Sequence, residues 1–289
     1  MKKNHWMNLA LLAPGTLIYV LFMLLPILLC FYYAFTNWNG LSATYEYVGF
    51  DNFIRTFSDQ RFHHAIWITF LITVTATLGV NLCGVMFSVL LNHKGRLTPY
   101  YRAVFFFPQL LSPVVVGFLW KAILSYNGLF NRLMDFFHLP RIEFFGVPDH
   151  ALMTLIALVI WQSTGFVIVL YLAGLQTISR ELYEAAHIDG ANAWQQFKRI
   201  TFPLLAPAVT MSVIFMFTAL MREYDRVAVL TYGGPGTSTE TLAYYITQIG
   251  FTSNRLSYAS SLAVMMFLIV SVLSVTLTIY LRKREDQVL

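Results

Sequence analysis

Six long apolar segments without a charged residue alternate with polar stretches along the chain, at 9–35, 65–91, 103–120, 151–179, 200–221 and 256–281. Each has about the length that a helix needs to cross a hydrocarbon layer of about 30 Å. Such a layer offers no partner to a free backbone group, so an open chain can cross it only as a helix. The pattern predicts an all-α integral membrane fold of six transmembrane helices. An even number of spans puts both termini on the same side.

Composition strengthens that picture. Apolar residues make up 57% of the chain and charged residues 11%, against about 45–50% and about 25% in soluble proteins. Met1-Lys2-Lys3 ahead of the first apolar run imitates a secretory signal, but the run continues through Phe35 without a small-x-small cleavage site, and it is expected to be retained as the first span. Cys30 and Cys83 fall inside expected spans and are read as packing residues, not as a disulfide. No linker or low-complexity tract interrupts the chain, so residues 1–289 are expected to form one membrane domain.

Charge sets the orientation. Lys2, Lys3, Lys94, Arg96, Arg102, Arg180, Lys198, Arg199, Arg282, Lys283 and Arg284 fall in short segments on one side. Arg55, Arg61, Lys121, Arg132, Arg141, Arg222, Arg226 and Arg255 fall in longer loops on the other, among nine carboxylates. Cytoplasmic loops carry the excess of Lys and Arg, so the first side, with both termini, is expected to be cytoplasmic. The same bias accounts for the net charge of +5 without a nucleic-acid partner.

The outer loops are rich in aromatic and turn residues, among them Trp38, Asn39, Gly40, Tyr45 and Tyr47. They suit either an interfacial aromatic belt or a surface that meets another protein. On the inner side, residues 180–199 are long enough for two short helices. Glu181 and Glu184 lie at the favourable end of the first helix dipole, Gly190 supplies a left-handed stop, and Pro203 falls in the opening turn of the fifth span.

Glu184-Ala185-Ala186, three residues, Gly190, nine residues and Ile200-x-Phe202-Pro203 resemble the signature cytoplasmic loop of permease subunits in binding-protein-dependent ABC importers, with Phe202 where that family has leucine. The resemblance implies a type I importer permease in which this loop is a coupling helix docked on the ATPase. Leu182, Glu184, Ala185, Ala186, Asp189 and Gly190 are the docking residues it points to. Leu182, Ala185, Ala186 and Asp189 recur at helical spacing, and their mostly small side chains would let a partner approach closely.

A second stretch is similar to carbohydrate permeases of the maltose type, first subunit. It comprises Asp225 and Leu230-Thr231-Tyr232-Gly233-Gly234-Pro235-Gly236-Thr237-Ser238-Thr239-Glu240-Thr241-Leu242. Tyr47-Val48-Gly49-Phe50-Asp51-Asn52-Phe53 and Tyr101-Arg102-Ala103-Val104-Phe105-Phe106-Phe107-Pro108 fit the same family. What this implies is a bacterial cell-membrane subunit that imports a sugar or oligosaccharide. Its partners would be a second permease in a heterodimer, two copies of an ABC ATPase and an extracytoplasmic solute-binding protein facing Gly233, Gly234 and Pro235. ATP and Mg would be used by the ATPase and no cofactor bound here, since the chain has no Walker element. The histidines show no metal-ligand spacing.

Sugar sites combine aromatic faces with amides and hydroxyls. Gln109, Trp161, Gln162, Ser163 and Thr218 are the mid-span candidates, and each could equally be glue between helices. Glu223, Tyr224 and Asp225 extend the candidate path outward. Arg222, Glu223, Asp225 and Arg226 depart from the family pattern and are expected to form a self-neutralising ion cluster. The alternative is selectivity for a charged sugar derivative or a glycerol phosphate ester. A secondary transporter would need repeats and intramembrane ion ligands, which the sequence does not display.

Overall fold

The computed structural model describes residues 5–92 and 95–288. Lys2, Lys3 and Lys94, which contribute to the expected orientation, lie outside the described residues. The chain begins with α1 (His5–Tyr19), a π-helical turn at Val20–Leu24 and α2 (Leu25–Tyr33), followed by α3 (Asp51–Phe57) and α4 (Gln60–Leu91). Then come α5 (Thr98–Leu110), α6 (Pro113–Leu124), α7 (Leu129–Phe136), α8 (Pro148–Gln176), α9 (Arg180–Ile188) and α10 (Ala193–Gln196). A second π-helical turn, Phe197–Thr201, leads to α11 (Phe202–Leu204) and α12 (Ala206–Leu220). The chain ends with α13 (Asp225–Leu230), α14 (Leu242–Thr247), a third such turn at Gln248–Thr252 and α15 (Leu256–Val288).

Among the described residues, five helical stretches are long and apolar enough to cross a membrane, and a bent pair brings the number to six. The bent pair is Ala193–Leu204 with Ala206–Leu220, meeting at 62°. Pro203 and Pro207 flank the bend. Each lacks an N–H and its ring crowds the carbonyl of the preceding turn, which opens a helix at that point.

The segment expected as the third span is not one helix. Leu111 and Ser112 are extended, with ψ of 141° and 138°, and separate α5 from α6. Pro113 explains the break, because a residue before proline is driven out of the helical region. Breaking a helix inside a membrane frees carbonyls that must find other donors. Here Gln162 Nε2, from the middle of α8, donates to the Leu111 carbonyl at 2.9 Å and lies 3.3 Å from that of Pro108.

The chain forms two compact units. In His64–Tyr244 with Val270–Leu289, α8 is the most buried of the helices long enough to cross a membrane. Ile72, Leu155, Val159 and Leu230 pack in one apolar cluster, and Val80, Val167, Tyr171 and Leu205 in another. Gly165 lets α8 reach the backbone of α5, since a Cβ there would lie 2.4 Å from the Phe105 carbonyl oxygen. Gln162 Oε1 in turn accepts from Arg226 Nε at 2.9 Å. The Arg226 guanidinium also pairs with Glu223, and both side chains are buried. The four expected charges therefore do not act together. They straddle the gap between α12 and α13, and only Glu223 and Arg226, three residues apart, turn inward. Arg222 is exposed, reaching the Thr218 carbonyl at 3.4 Å, and Asp225 is exposed in the first turn of α13.

The other unit, Met1–His63 with Tyr245–Ile269, contains α1 to α3. Residues 11–29 are all exposed. After α2 the chain is pinned by Asn52 Nδ2, which donates to the carbonyls of Ala34 at 2.9 Å and Thr36 at 2.7 Å. Thr36 and Ser257 share a hydroxyl hydrogen bond of 2.7 Å. Trp38 packs on Tyr33 with ring centroids 4.5 Å apart, so the aromatic residues expected at a surface in part cover one another. Cys30 and Cys83 are free thiols.

The Gln162 network yields a stability test. Arg226→Met strands a buried carboxylate and should cost about 3–5 kcal/mol. Gln162→Leu strands the Leu111 carbonyl and one Arg226 N–H, at about 1–3 kcal/mol for each buried group. The double variant Glu223→Gln/Arg226→Met should be milder than Arg226→Met alone. Thermal unfolding midpoints in detergent check the order, and a double variant less stable than the single one would contradict it.

Candidate functional site

The polar loop between the fourth and fifth expected spans folds as a helix held at both ends. Ser179 caps α9, its Oγ accepting from the Glu181 N–H at 3.3 Å. At the other end Gly190 has φ +77°, Gly190 N–H donates to the His187 carbonyl at 3.0 Å and Ala191 N–H to that of Ala186 at 2.9 Å. This pair of bonds is the Schellman arrangement, which a residue without Cβ accommodates best. The left-handed stop predicted at Gly190 is present.

Leu182, Glu184, Ala185 and Asp189 are exposed, and Ala186 is half-buried. Ile188 is 86% exposed, far more than a residue of its apolarity finds favourable in water. Tyr183 faces inward, and its hydroxyl meets Thr201 Oγ1 at 3.0 Å. Asn192 and Gln195 form a capping box that starts α10, and Trp194 stacks on Phe197 at 5.5 Å. Phe197 reaches Phe202 at 6.0 Å, so the bulk at position 202 serves packing within this loop. The result is a short exposed helix tied to the chain that enters α12.

The mid-span candidates have separate surroundings. Gln162 is committed to α5 and Arg226, as described above. Ser163 is buried beside it. Trp161, one residue earlier, points elsewhere, because adjacent helical residues do not share a face. It packs edge-on against Trp120 at 5.3 Å and lines a cavity of about 460 Å³ with Cys83, Phe87, Phe105 and Thr164. Gln109 is half-exposed near the end of α5. Thr218 donates to the Ile214 carbonyl at 2.8 Å and meets Ser274 Oγ at 3.2 Å, which joins α12 to α15.

On the far side of α12, Tyr224 stacks over Tyr244 at 6.1 Å. Gly233 has φ +80°, and a Cβ there would lie 2.9 Å from the Tyr244 ring. Thr239 Oγ1 donates to the Gly234 carbonyl at 2.9 Å, and Thr241 Oγ1 to that of Glu223 at 2.7 Å. Gly233, Gly234 and Pro235 thus sit on a loop stitched to the Glu223–Arg226 pair. The sequence showed Lys121 only as an outer-loop charge; its Nζ donates to the Val229 carbonyl at 2.9 Å and lies 4.0 Å from the Tyr232 ring centroid. A lone lysine at a span end gives no local sign of such a partner.

Known proteins supply an independent comparison. Residues 80–286 match the family model described as binding-protein-dependent transport system inner membrane component. The probable starch degradation products transport system permease protein AmyD of Thermoanaerobacterium thermosulfurigenes is 31% identical, over 95% of this chain and 93% of its own. The sulfoquinovosyl glycerol transport system permease protein SmoG of Agrobacterium fabrum is 34% identical, over 91% and 89%. A crystal structure of a bacterial alginate ABC transporter, in complex with its alginate pentasaccharide-bound periplasmic protein, contains a similar fold, with a TM-score of 0.87 at 22% identity over 98% of this chain and 96% of the other. The apolar helices, the capped loop helix and these matches agree: the chain belongs to the family of inner membrane components of binding-protein-dependent transport systems.

Proposed function

We propose that this permease carries a sugar or oligosaccharide, delivered by an extracytoplasmic solute-binding protein, through a pore that it shares with a second permease subunit in a heterodimer. Two copies of an ATPase would dock on the cytoplasmic side, one of them on α9 through Leu182, Glu184, Ala185, Ala186, Asp189 and Gly190. The whole of 1–289 acts as one permease domain, its termini and the 180–199 loop in the cytoplasm. The observation that carries the reading is α9 itself. It is capped at both ends, offers small or exposed side chains, and is bonded through Tyr183 to Thr201 at the foot of the bent helix. ATP-driven closure of the ATPases would move the knob, and α12 with it, between two pore states that differ in their contacts.

A neutral cargo is favoured over a charged one, although SmoG is named for a sulfoquinovosyl glycerol system. Arg226, the cation nearest the candidate path, is taken up by Glu223 and Gln162 and is buried. A cargo anion would have to break that pair. Trp161 and Thr164 line one cavity, which joins an aromatic residue to a hydroxyl.

Two measurements test the reading. Gly190→Pro removes an N–H bonded to His187 and cannot reach φ +77°, and Glu184→Lys reverses a charge on the exposed helix. Uptake should fall to about a tenth or less in either variant with permease still in the membrane, since a lost helix stop or docking contact of about 1.4 kcal/mol already gives tenfold. Normal uptake and normal ATPase recruitment in both would contradict it. For topology, Cys30 and Cys83 are replaced by alanine and one cysteine is introduced at Gly236 or at Gly190. An impermeant thiol reagent should label the first from outside and the second only after permeabilisation, and the reverse pattern would invert the orientation.

A further inference from the structure

The apolar run of α15 ends at Leu281, and Arg282-Lys283-Arg284-Glu285 follow. That change marks the level at which a span leaves hydrocarbon for lipid headgroups, and the exposed Tyr280 beside it is a residue type that favours this level. Here a groove of about 180 Å³ lies between α15 and the chain that runs from α11 into α12. Phe202, Ala206, Val209 and Leu281 form its apolar wall. Thr210, Arg284 and Glu285 supply its polar groups. Further along, the Thr218–Ser274 contact joins the same two helices. All these residues belong to the larger unit, and none takes part in the Gln162 network or in the exposed face of α9.

The three polar groups of this groove are unspent. Thr210 is only 7% exposed, yet its hydroxyl has no hydrogen-bond partner among the described residues. A helical threonine can donate to a carbonyl one turn back, as Thr164 and Thr218 do at 2.6 and 2.8 Å. Thr210 does not, and a buried hydroxyl left unpaired is costly, which points to an occupant that pairs with it. Arg284 and Glu285 likewise have no ion-pair partner among the described residues. Their charges cancel, so the groove suits neither a simple anion nor a simple cation. It suits a molecule that carries both signs side by side on an apolar body. Exposed apolar side chains continue away from the charged end on both helices, Met211 and Phe215 on α12 and Val275 and Ile279 on α15. An acyl chain has a surface to follow there.

We propose that this groove binds one molecule of phosphatidylethanolamine. The Arg284 guanidinium, whose planar fork matches phosphate oxygens, holds the phosphodiester, and the Glu285 carboxylate accepts from the ammonium group. The Thr210 hydroxyl donates to an ester carbonyl. Thr210 lies four residues, about 6 Å, deeper along α12 than Ala206, which suits a group on the hydrocarbon side of the phosphate. Phosphatidylcholine has no N–H to offer Glu285, and phosphatidylglycerol has no cation. Phe202 also packs on Phe197 at 6.0 Å, so the lipid sits against the chain that ties α9 to α12. The inference rests on the chain spanning a membrane, whatever its cargo and partners.

The test takes the full-length permease, purified in mild detergent with the subunits that accompany it and then stripped of lipid. Native mass spectrometry with the dioleoyl forms of phosphatidylethanolamine, phosphatidylcholine and phosphatidylglycerol should show one tightly held phosphatidylethanolamine per permease chain. It should bind about tenfold better than either of the others. Glu285→Gln should remove that preference, and Arg284→Gln should weaken all three lipids about tenfold. Thr210→Val, which keeps the shape of the wall, should also weaken all three. The thermal unfolding midpoint and chromatographic profile of each variant should not fall below wild type, which separates a lost ligand from a lost fold. A phosphatidylethanolamine with a photoactivatable acyl chain should label peptides within 202–215 and 272–285. Equal binding of the three lipids would overturn the proposal, as would a preference for phosphatidylglycerol that Glu285→Gln leaves unchanged. Wild-type affinity in all three variants would overturn it too. So would photolabelling that spares the groove, the result expected if another subunit fills it.

Discussion

A backbone carbonyl released inside a membrane must be given a donor, and Gln162 gives one to the break between α5 and α6. Much of the larger unit is arranged around that need. Gly165 brings α8 onto the backbone of α5, which places Gln162, three residues earlier, within reach of Leu111. The amide then has an oxygen to spare, and Arg226 fills it. Arg226 is tolerable at that depth only because Glu223 neutralises it, and the Glu223 carbonyl is itself capped by Thr241. One break in one helix therefore orders polar residues on α8, the gap after α12, and the loop before α14.

The α9 loop solves a different problem with local means. A nine-residue helix is too short to be stable alone in water. Ser179 and Gly190 satisfy its ends, and the Tyr183–Thr201 contact anchors it to the following helix. The exposed face is then free of structural duty. That division of labour between a bonded face and an open one leaves the open face available to a partner.

How much of this was legible in the sequence depends on the range of each interaction. Apolar runs near 20 residues announce helices because the hydrocarbon thickness is fixed, and the stop at Gly190 is a requirement of a single residue. The break at Ser112-Pro113 is written locally, but averaging hydropathy over a span conceals it. The charged stretch 222–226 was visible as charge, while its inward pairing depended on Gln162, 64 residues away in sequence. Thr210 and Arg284 share no local pattern at all, since they lie on different helices, α12 and α15. Nor does sequence distinguish a polar residue that glues helices, as Thr218 does, from one that lines a cavity, as Thr164 does.

The first apolar helix carries a consequence of its own. None of residues 11–29 is buried within the chain, and Phe22 and Leu11 are more than three-quarters exposed. Its helicity therefore depends more on the low-dielectric solvent around it and on its own backbone ladder than on packing. Changes from one large aliphatic residue to another there should leave the fold indifferent. Evolution can thus reshape that surface to suit the thickness of a host membrane, or the contours of a neighbouring subunit, without disturbing the interior.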